Sequence, residues 1–140
     1  MKITVKNSGV IKLTTKKHPR HGHLFVAEAA RHIPFLIRRI YFINNIKKYS
    51  CRRGNHAHKK LKQAMFCLNG SFVLSLDDGR KKQKLILKNP ETGVILGPRL
   101  WHSMSKFSKH CVILVLASNY YKESDYIRDY NDFLEITKRK

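Results

Sequence analysis

The sequence predicts an all-β fold, an antiparallel sandwich or barrel with one short helix at its C-terminal end. Two observations carry that expectation. Short runs rich in β-branched and aromatic residues recur along the chain, each bounded by Gly, Asn, Asp or Pro turn signals. In one of them Phe72, Leu74 and Leu76 alternate with Val73 and Ser75, which sets the large apolar groups on one face at period two. The 140 residues suit one domain over residues 1–140, and an apolar content of 42% suffices for a core.

In chain order, strands are expected from Leu24 to Ala27, Phe35 to Ile43, Ala64 to Leu68, Phe72 to Leu76, Leu85 to Leu87, Val94 to Leu96 and Val112 to Ala117. Asn69-Gly70, Asp77-Asp78-Gly79 and the Asn89 to Gly93 segment supply turns, because Asp, Asn and Gly tolerate positive φ. Near the end, Ser124 can cap a helix running through Asp125, Tyr126, Ile127 and Arg128, with acidic residues in its first turn.

Composition narrows the partners. Lys and Arg number 29 against 9 Asp and Glu, a formal charge of +20, which attracts polyanions. The basic residues are nevertheless dispersed, as in Lys16-Lys17, Lys47-Lys48, Lys59-Lys60 and Arg80-Lys81-Lys82, so most read as solvated surface and no nucleic acid is expected as partner. No apolar run approaches the roughly 20 residues that span a bilayer, and Met1 to Val5 lead into charge without a signal-peptide core. A cytoplasmic protein without a membrane partner is the expectation. Cys51, Cys67 and Cys111 lack CxxC spacing, which suits a reducing compartment and gives no structural zinc pattern.

The chemistry centres on His56 and His58. On a strand, residues i and i+2 share a face, so the two imidazoles converge while Ala57 points away. Such a pair can bind metal or move protons near neutral pH. Eight histidines in 140 residues give about 0.5 such pairs by chance, so the surroundings must carry the argument. Gly54 precedes the pair, Gln63 follows it, and a Gly97-Pro98 turn leads to Trp101 and His102. This arrangement resembles the two-part cupin signature, in which HxH, a Glu and a distant His supply metal ligands on a jelly roll. Gln63 occupies the Glu slot, and an amide oxygen is a poorer ligand than a carboxylate. Metal is therefore disfavoured, although three imidazoles can still hold zinc.

A closer resemblance follows. Arg53-Gly54-Asn55-His56-Ala57-His58-Lys59 is similar to the RGxHAHK motif of the dTDP-4-keto-6-deoxyglucose 3,4-ketoisomerases, the FdtA, QdtA and WxcM-like group. Ile33 to Tyr41, Leu76-Asp77-Asp78-Gly79, Leu116-Ala117-Ser118, Tyr120-Tyr121 and Glu123 to Arg128 resemble further motifs of that family, in order, from about His21 to Leu134. The resemblance implies a homodimeric jelly roll without metal or other cofactor. It moves a ketone from C4 to C3 of a deoxysugar on thymidine diphosphate, for 3-amino sugars of surface polysaccharide. It implies His56 as base at carbon, His58 as partner at the sugar oxygens, Tyr41 beside the sugar, and Arg53, Arg39 and His21 toward the substrate. His102 resembles the branch that makes the galacto epimer, whereas His21 departs from the Arg often found before Gly22. Trp101 is expected in the core. Two other readings compete: a metal-dependent cupin enzyme using His56, His58 and His102, and a basic nucleic-acid-binding barrel using Tyr120 and Tyr121. The latter leaves the ordered histidines without a purpose.

Overall fold

A computed structural model describes residues 1–138. Twelve strands are present among the described residues: β1 (Ser8–Lys12), β2 (Thr14–His18), β3 (Gly22–Val26), β4 (Arg39–Ile43), β5 (Arg53–His58), β6 (Gln63–Asn69), β7 (Phe72–Asp77), β8 (Lys82–Leu87), β9 (Thr92–Leu96), β10 (Trp101–Ser105), β11 (Val112–Ala117) and β12 (Tyr126–Ile127). A helix, α1 (Tyr130–Lys138), ends the fold. One sheet has the order β1-β9-β6-β11-β4, the second β12-β5-β10-β7-β8, and β2 and β3 form a separate hairpin. Every strand pair is antiparallel, as a jelly-roll sandwich requires.

Between the sheets, Met65, Cys67, Val94, Leu96, Ile113 and Val115 of the first meet Phe72, Leu74, Leu76, Leu85, Leu87 and Met104 of the second. The alternation expected for β7 holds, with Phe72, Leu74 and Leu76 buried and Val73 and Ser75 partly exposed. Ile11, Ile33, Ala64, Phe66 and Leu116 form a smaller cluster outside the first sheet. Outside the second sheet, α1 lays Phe133 on Ala57 and Ile127, with Trp101 and Tyr130 at the margin. Trp101 thus packs, half-buried, against Tyr130 and Phe133 at centroid distances of 5.2 and 5.6 Å.

Three expectations need correction. The helix does not start at Ser124: Glu123–Asp125 is a single 3₁₀ turn, and Tyr126 and Ile127 pair with His58 and Ala57 instead. That pairing claims the backbone of the stretch, so α1 begins only at Tyr130. There Asp129 is the cap, its Oδ1 accepting the Asp132 N–H at 3.0 Å. The strand from Phe35 shortens to β4, because its partner β11 ends at Ala117, opposite Arg39. And β1, β2, β10 and β12 lie outside the expected strands. β2 illustrates why, since Thr14-Thr15-Lys16-Lys17-His18 is polar throughout and reads as a loop.

One local feature positions the site. In the β5–β10 ladder His56 faces His102, but Gly54, not Asn55, faces Ser103. Asn55 is the extra residue of a β-bulge, and Gly54 and Asn55 both adopt left-handed φ, +83° and +59°. A Cβ on Gly54 would stand 2.9 Å from the His102 carbonyl oxygen and 3.2 Å from Ser103 Cα. Gly54→Ala should therefore lower stability by about 1–3 kcal/mol from backbone strain alone, and a urea-unfolding midpoint equal to that of the unsubstituted protein would refute the constraint.

Candidate active site

On β5 the two-residue period turns His56 and His58 inward and buries Ala57 under α1. His102 lies opposite His56 across the β5–β10 ladder, and Tyr126 lies opposite His58 across the β5–β12 ladder. Three adjacent strands thus present four rings on one face. Ring centroids are 5.0 Å apart for His56 and His58, 4.8 Å for His56 and His102, and 6.1 Å for His58 and His102. The Tyr126 ring stands 4.9 Å from His56 and 4.4 Å from His58. From the facing sheet come Tyr41 of β4 and Gln63 of β6, the Tyr41 hydroxyl donating to Gln63 Oε1 at 2.5 Å.

The hydrogen bonds settle which ring nitrogens carry protons. His56 Nδ1 is 3.1 Å from the Gly54 carbonyl oxygen, and His102 Nδ1 is 3.1 Å from that of Leu100. A carbonyl only accepts, so each Nδ1 holds the proton and each Nε2 keeps its lone pair. His58 Nδ1 lies 3.4 Å from Asp125 Oδ2 without an aligned hydrogen bond.

Burial decides the charge states. Desolvation pushes His102 down to about 3, with His56 adding to it. His58 also falls to about 3, first from burial, then from His56, Arg39 and Arg128. His56, less enclosed, is lowered by burial and by Arg128, against the Gly54 carbonyl and Glu123. All three imidazoles are neutral at pH 7. Contact between His58 and Asp125 is therefore not an ion pair there. Tyr41 is raised to about 12 by burial and by Tyr126, although Arg39 and Arg53 oppose the shift, and it remains a protonated donor.

The rim is cationic. The Arg39 guanidinium lies 5.3 Å from the Tyr41 ring centroid and 5.9 Å from that of Tyr121, and its buried Nε has no hydrogen-bond partner among the described residues. Arg128 covers Tyr126 at 4.3 Å and forks onto Glu123 at 2.7 and 3.0 Å. Tyr121 donates to the same carboxylate at 2.5 Å, which makes it part of this rim. Arg53 is exposed on β5 and acts on Tyr41 through its charge.

Of the residues expected at the site, His56, His58, His102 and Tyr41 come together with Arg39 and Arg53 around them. His21 does not join the histidine cluster: it sits in the β2–β3 turn, 4.3 Å from the His18 ring. The sequence reading missed the parts played by Tyr126, Arg128, Glu123 and Asp125. A helix over 125–128 hid them; the available signals were the family-like run from Glu123 to Arg128 and the two-residue alternation of Tyr126 and Arg128. The ligand atoms of His56, His58 and His102 lie within 4.8 Å of one another, and three neutral imidazoles could hold zinc. Gln63 adds no carboxylate to them, and its amide oxygen is already bonded to Tyr41.

Comparison with known proteins places this geometry. The family model described as FdtA: WxcM-like, C-terminal, matches residues 6–138. A TDP-4-oxo-6-deoxy-alpha-D-glucose-3,4-oxoisomerase of Aneurinibacillus thermoaerophilus is 49% identical over 112 residues, 80% of each chain. The 3,4-ketoisomerase QdtA of Thermoanaerobacterium thermosaccharolyticum, a double mutant in complex with TDP, superposes with TM-score 0.93 at 40% identity over 97% of both chains. A histidine-to-asparagine mutant of the same enzyme, in complex with TDP-4-keto-6-deoxyglucose, gives TM-score 0.93 at 37% identity over 98% of both. The family match over residues 6–138, together with the 49% identical relative, makes this chain a member of the FdtA, WxcM-like family.

Proposed function

We propose that this protein is a TDP-sugar 3,4-ketoisomerase that converts TDP-4-keto-6-deoxyglucose to the TDP-3-keto-6-deoxyhexose of galacto configuration, without a cofactor. One observation carries the reading: three neutral imidazoles converge near a protonated Tyr41, and in His56 and His102 a backbone carbonyl holds the proton on Nδ1 and leaves Nε2 free. Ketone migration needs a base for the C3 proton, an acid for C4, and a carrier for the hydroxyl proton. His56, the least buried of the three, takes the proton from C3 as the electrons form the C3–C4 double bond and the C4 carbonyl oxygen gains a proton. His58 carries the hydroxyl proton between the two oxygens of the enediol. The protonated His56 returns a proton to C4 while the C3 oxygen becomes the ketone. No electrons are gained or lost overall.

Tyr41 stabilises charge on the enediolate oxygens once its hydroxyl turns from Gln63 to the sugar. Arg39 and Arg53 attract the diphosphate, a match of guanidinium fork to phosphate oxygen. His102, buried and opposite His56, limits the face of the enediol at which C4 is reprotonated, which supports the galacto product. Three free thiols, Cys51, Cys67 and Cys111, support a cytoplasmic location.

The assembly is proposed as a homodimer. On β4 the alternation that turns Tyr41 inward leaves Ile40 and Phe42 outward, 63% and 67% exposed, and Leu36 nearby is 65% exposed. An apolar patch of this kind marks a protein contact. The β2–β3 hairpin pairs with neither main sheet, and its Leu24 is also exposed. A metal-dependent reading retains one point in its favour, the gathered ring nitrogens of His56, His58 and His102.

Incubation with TDP-4-keto-6-deoxyglucose in D₂O separates the readings: deuterium should enter C4, EDTA should leave the rate unchanged, and NMR should show the galacto configuration. His56→Asn should slow turnover at least ~100-fold, the lower end for loss of a general base. Activity lost on chelation, with stoichiometric metal by elemental analysis, would establish the metal reading instead. Because the base must be neutral and His56 is held below 6.5, the acid limb of kcat/KM should lie below pH 6.5; a limb above it contradicts His56 as base. Sedimentation should give twice the chain mass, and Phe42→Asp should shift it to the monomer.

A further inference from the structure

The segment after β11 returns to the end of β5 and places a carboxylate behind His58. Asp125 closes the 3₁₀ turn, and its position is fixed from three sides. Its backbone carbonyl accepts the Lys59 N–H at 2.9 Å, its Oδ1 accepts the Lys60 N–H at 2.9 Å, and its Oδ2 accepts the Leu61 N–H at 3.2 Å. The next residue, Tyr126, pairs with His58 in register, so strand pairing ties the turn to the histidine. Oδ2 stands 3.4 Å from His58 Nδ1, a nitrogen buried from solvent with no other partner among the described residues. The remaining neighbours of His58 are the rings of His56, His102 and Tyr126 and the cations Arg39 and Arg128.

A buried ring nitrogen facing a carboxylate is favoured as N–H, because a lone pair there would face the negative oxygen. His56 and His102 have the same tautomer imposed by carbonyls. We propose that Asp125 is a positioning residue that holds His58 in the Nδ1–H tautomer, so that its Nε2 lone pair faces the reaction space. Of the three imidazoles, His58 alone is set by a side chain. The 3.4 Å contact shortens to a hydrogen bond when substrate draws the ring into line, as catalytic hydrogen bonds tighten on binding. The role rests on the ketoisomerase reading only where turnover is concerned; the tautomer is a property of the free protein.

Asp125→Asn is the informative change. The shorter bond, from the Lys60 N–H, keeps the amide oxygen on that side, which gives up the longer bond from the Leu61 N–H and turns the amide NH₂ toward His58 Nδ1. The NH₂ demands a lone pair on Nδ1 and drives the proton to Nε2. Two-bond ¹H–¹⁵N spectra of the histidine rings read this directly. His58 should show the Nδ1–H pattern in the unsubstituted protein and Nε2–H in Asp125→Asn, while His56 and His102 stay unchanged. In the ketoisomerase assay, kcat should fall at least ~100-fold with KM within about twofold, as for loss of a proton carrier. Asp125→Ala serves as the second variant and should give mixed tautomers. An Nε2–H signal for His58 in the unsubstituted protein, or the unsubstituted pattern retained in both variants, overturns the proposal. Absence of ketoisomerase activity in the unsubstituted protein overturns the functional reading instead and leaves the tautomer result to stand.

Discussion

The contact between Gly54 and the β10 backbone is the constraint on which the site depends. Only a residue without a Cβ can lie this close to the His102 carbonyl at positive φ. The bulge it permits inserts Asn55 and resets the pleat, so that His56 emerges opposite His102 with both side chains inward. Without the extra residue, the faces of β5 would be exchanged across the bulge. Gly54 then acts a second time, since its carbonyl holds His56 Nδ1 and fixes the tautomer of the ring. One glycine thereby couples backbone path, side-chain direction and proton position.

The electrostatics reinforce that geometry. Three imidazoles within one pocket could share charge only at high cost, and burial resolves the conflict by keeping all of them neutral. Arg39 and Arg128 push the same way on His58, because a positive field disfavours a second positive charge. Cations of this kind also attract anions, so one positive field both draws an anion and helps keep His58 neutral. Tyr41 completes the set as a donor that stays protonated, with Gln63 as its resting acceptor. A carboxylate at residue 63 would have brought a negative charge among these groups and a ligand for a metal.

The C-terminal segment joins fold to site. Its 3₁₀ turn carries Asp125 behind His58, its two-residue strand carries Tyr126 over two imidazoles, and Arg128 with Glu123 clamps Tyr126 from outside. Phe133 of α1 packs on Ala57, the residue between the two histidines, on the opposite face of β5. The strand bearing the HxH pair is thus covered on its outer face by α1 and paired along both edges, with β10 and β12. That arrangement explains how a strand inside the sheet can carry polar groups inward and remain ordered.

The sequence alone determined the β class, most strand positions and the approximate ring set. Period-two burial, glycine turns and the i, i+2 rule act locally, so Phe72 to Leu76 and the His56, His58 pair were legible. Family resemblance added His102, Tyr41 and the arginines. Tertiary structure alone decided the rest, because strand pairing is set by neighbours distant in sequence. Residues 125–128 carry a plausible helical start, yet pairing of Tyr126 and Ile127 with β5 overrides it and moves the cap to Asp129. β2 shows no apolar alternation, and its partner β3 makes it a strand. The nearness of Asp125 to His58, across 67 positions, likewise arises only when the chain closes on itself. Local patterns select residue types and faces, whereas the register between distant strands decides which of those faces meet.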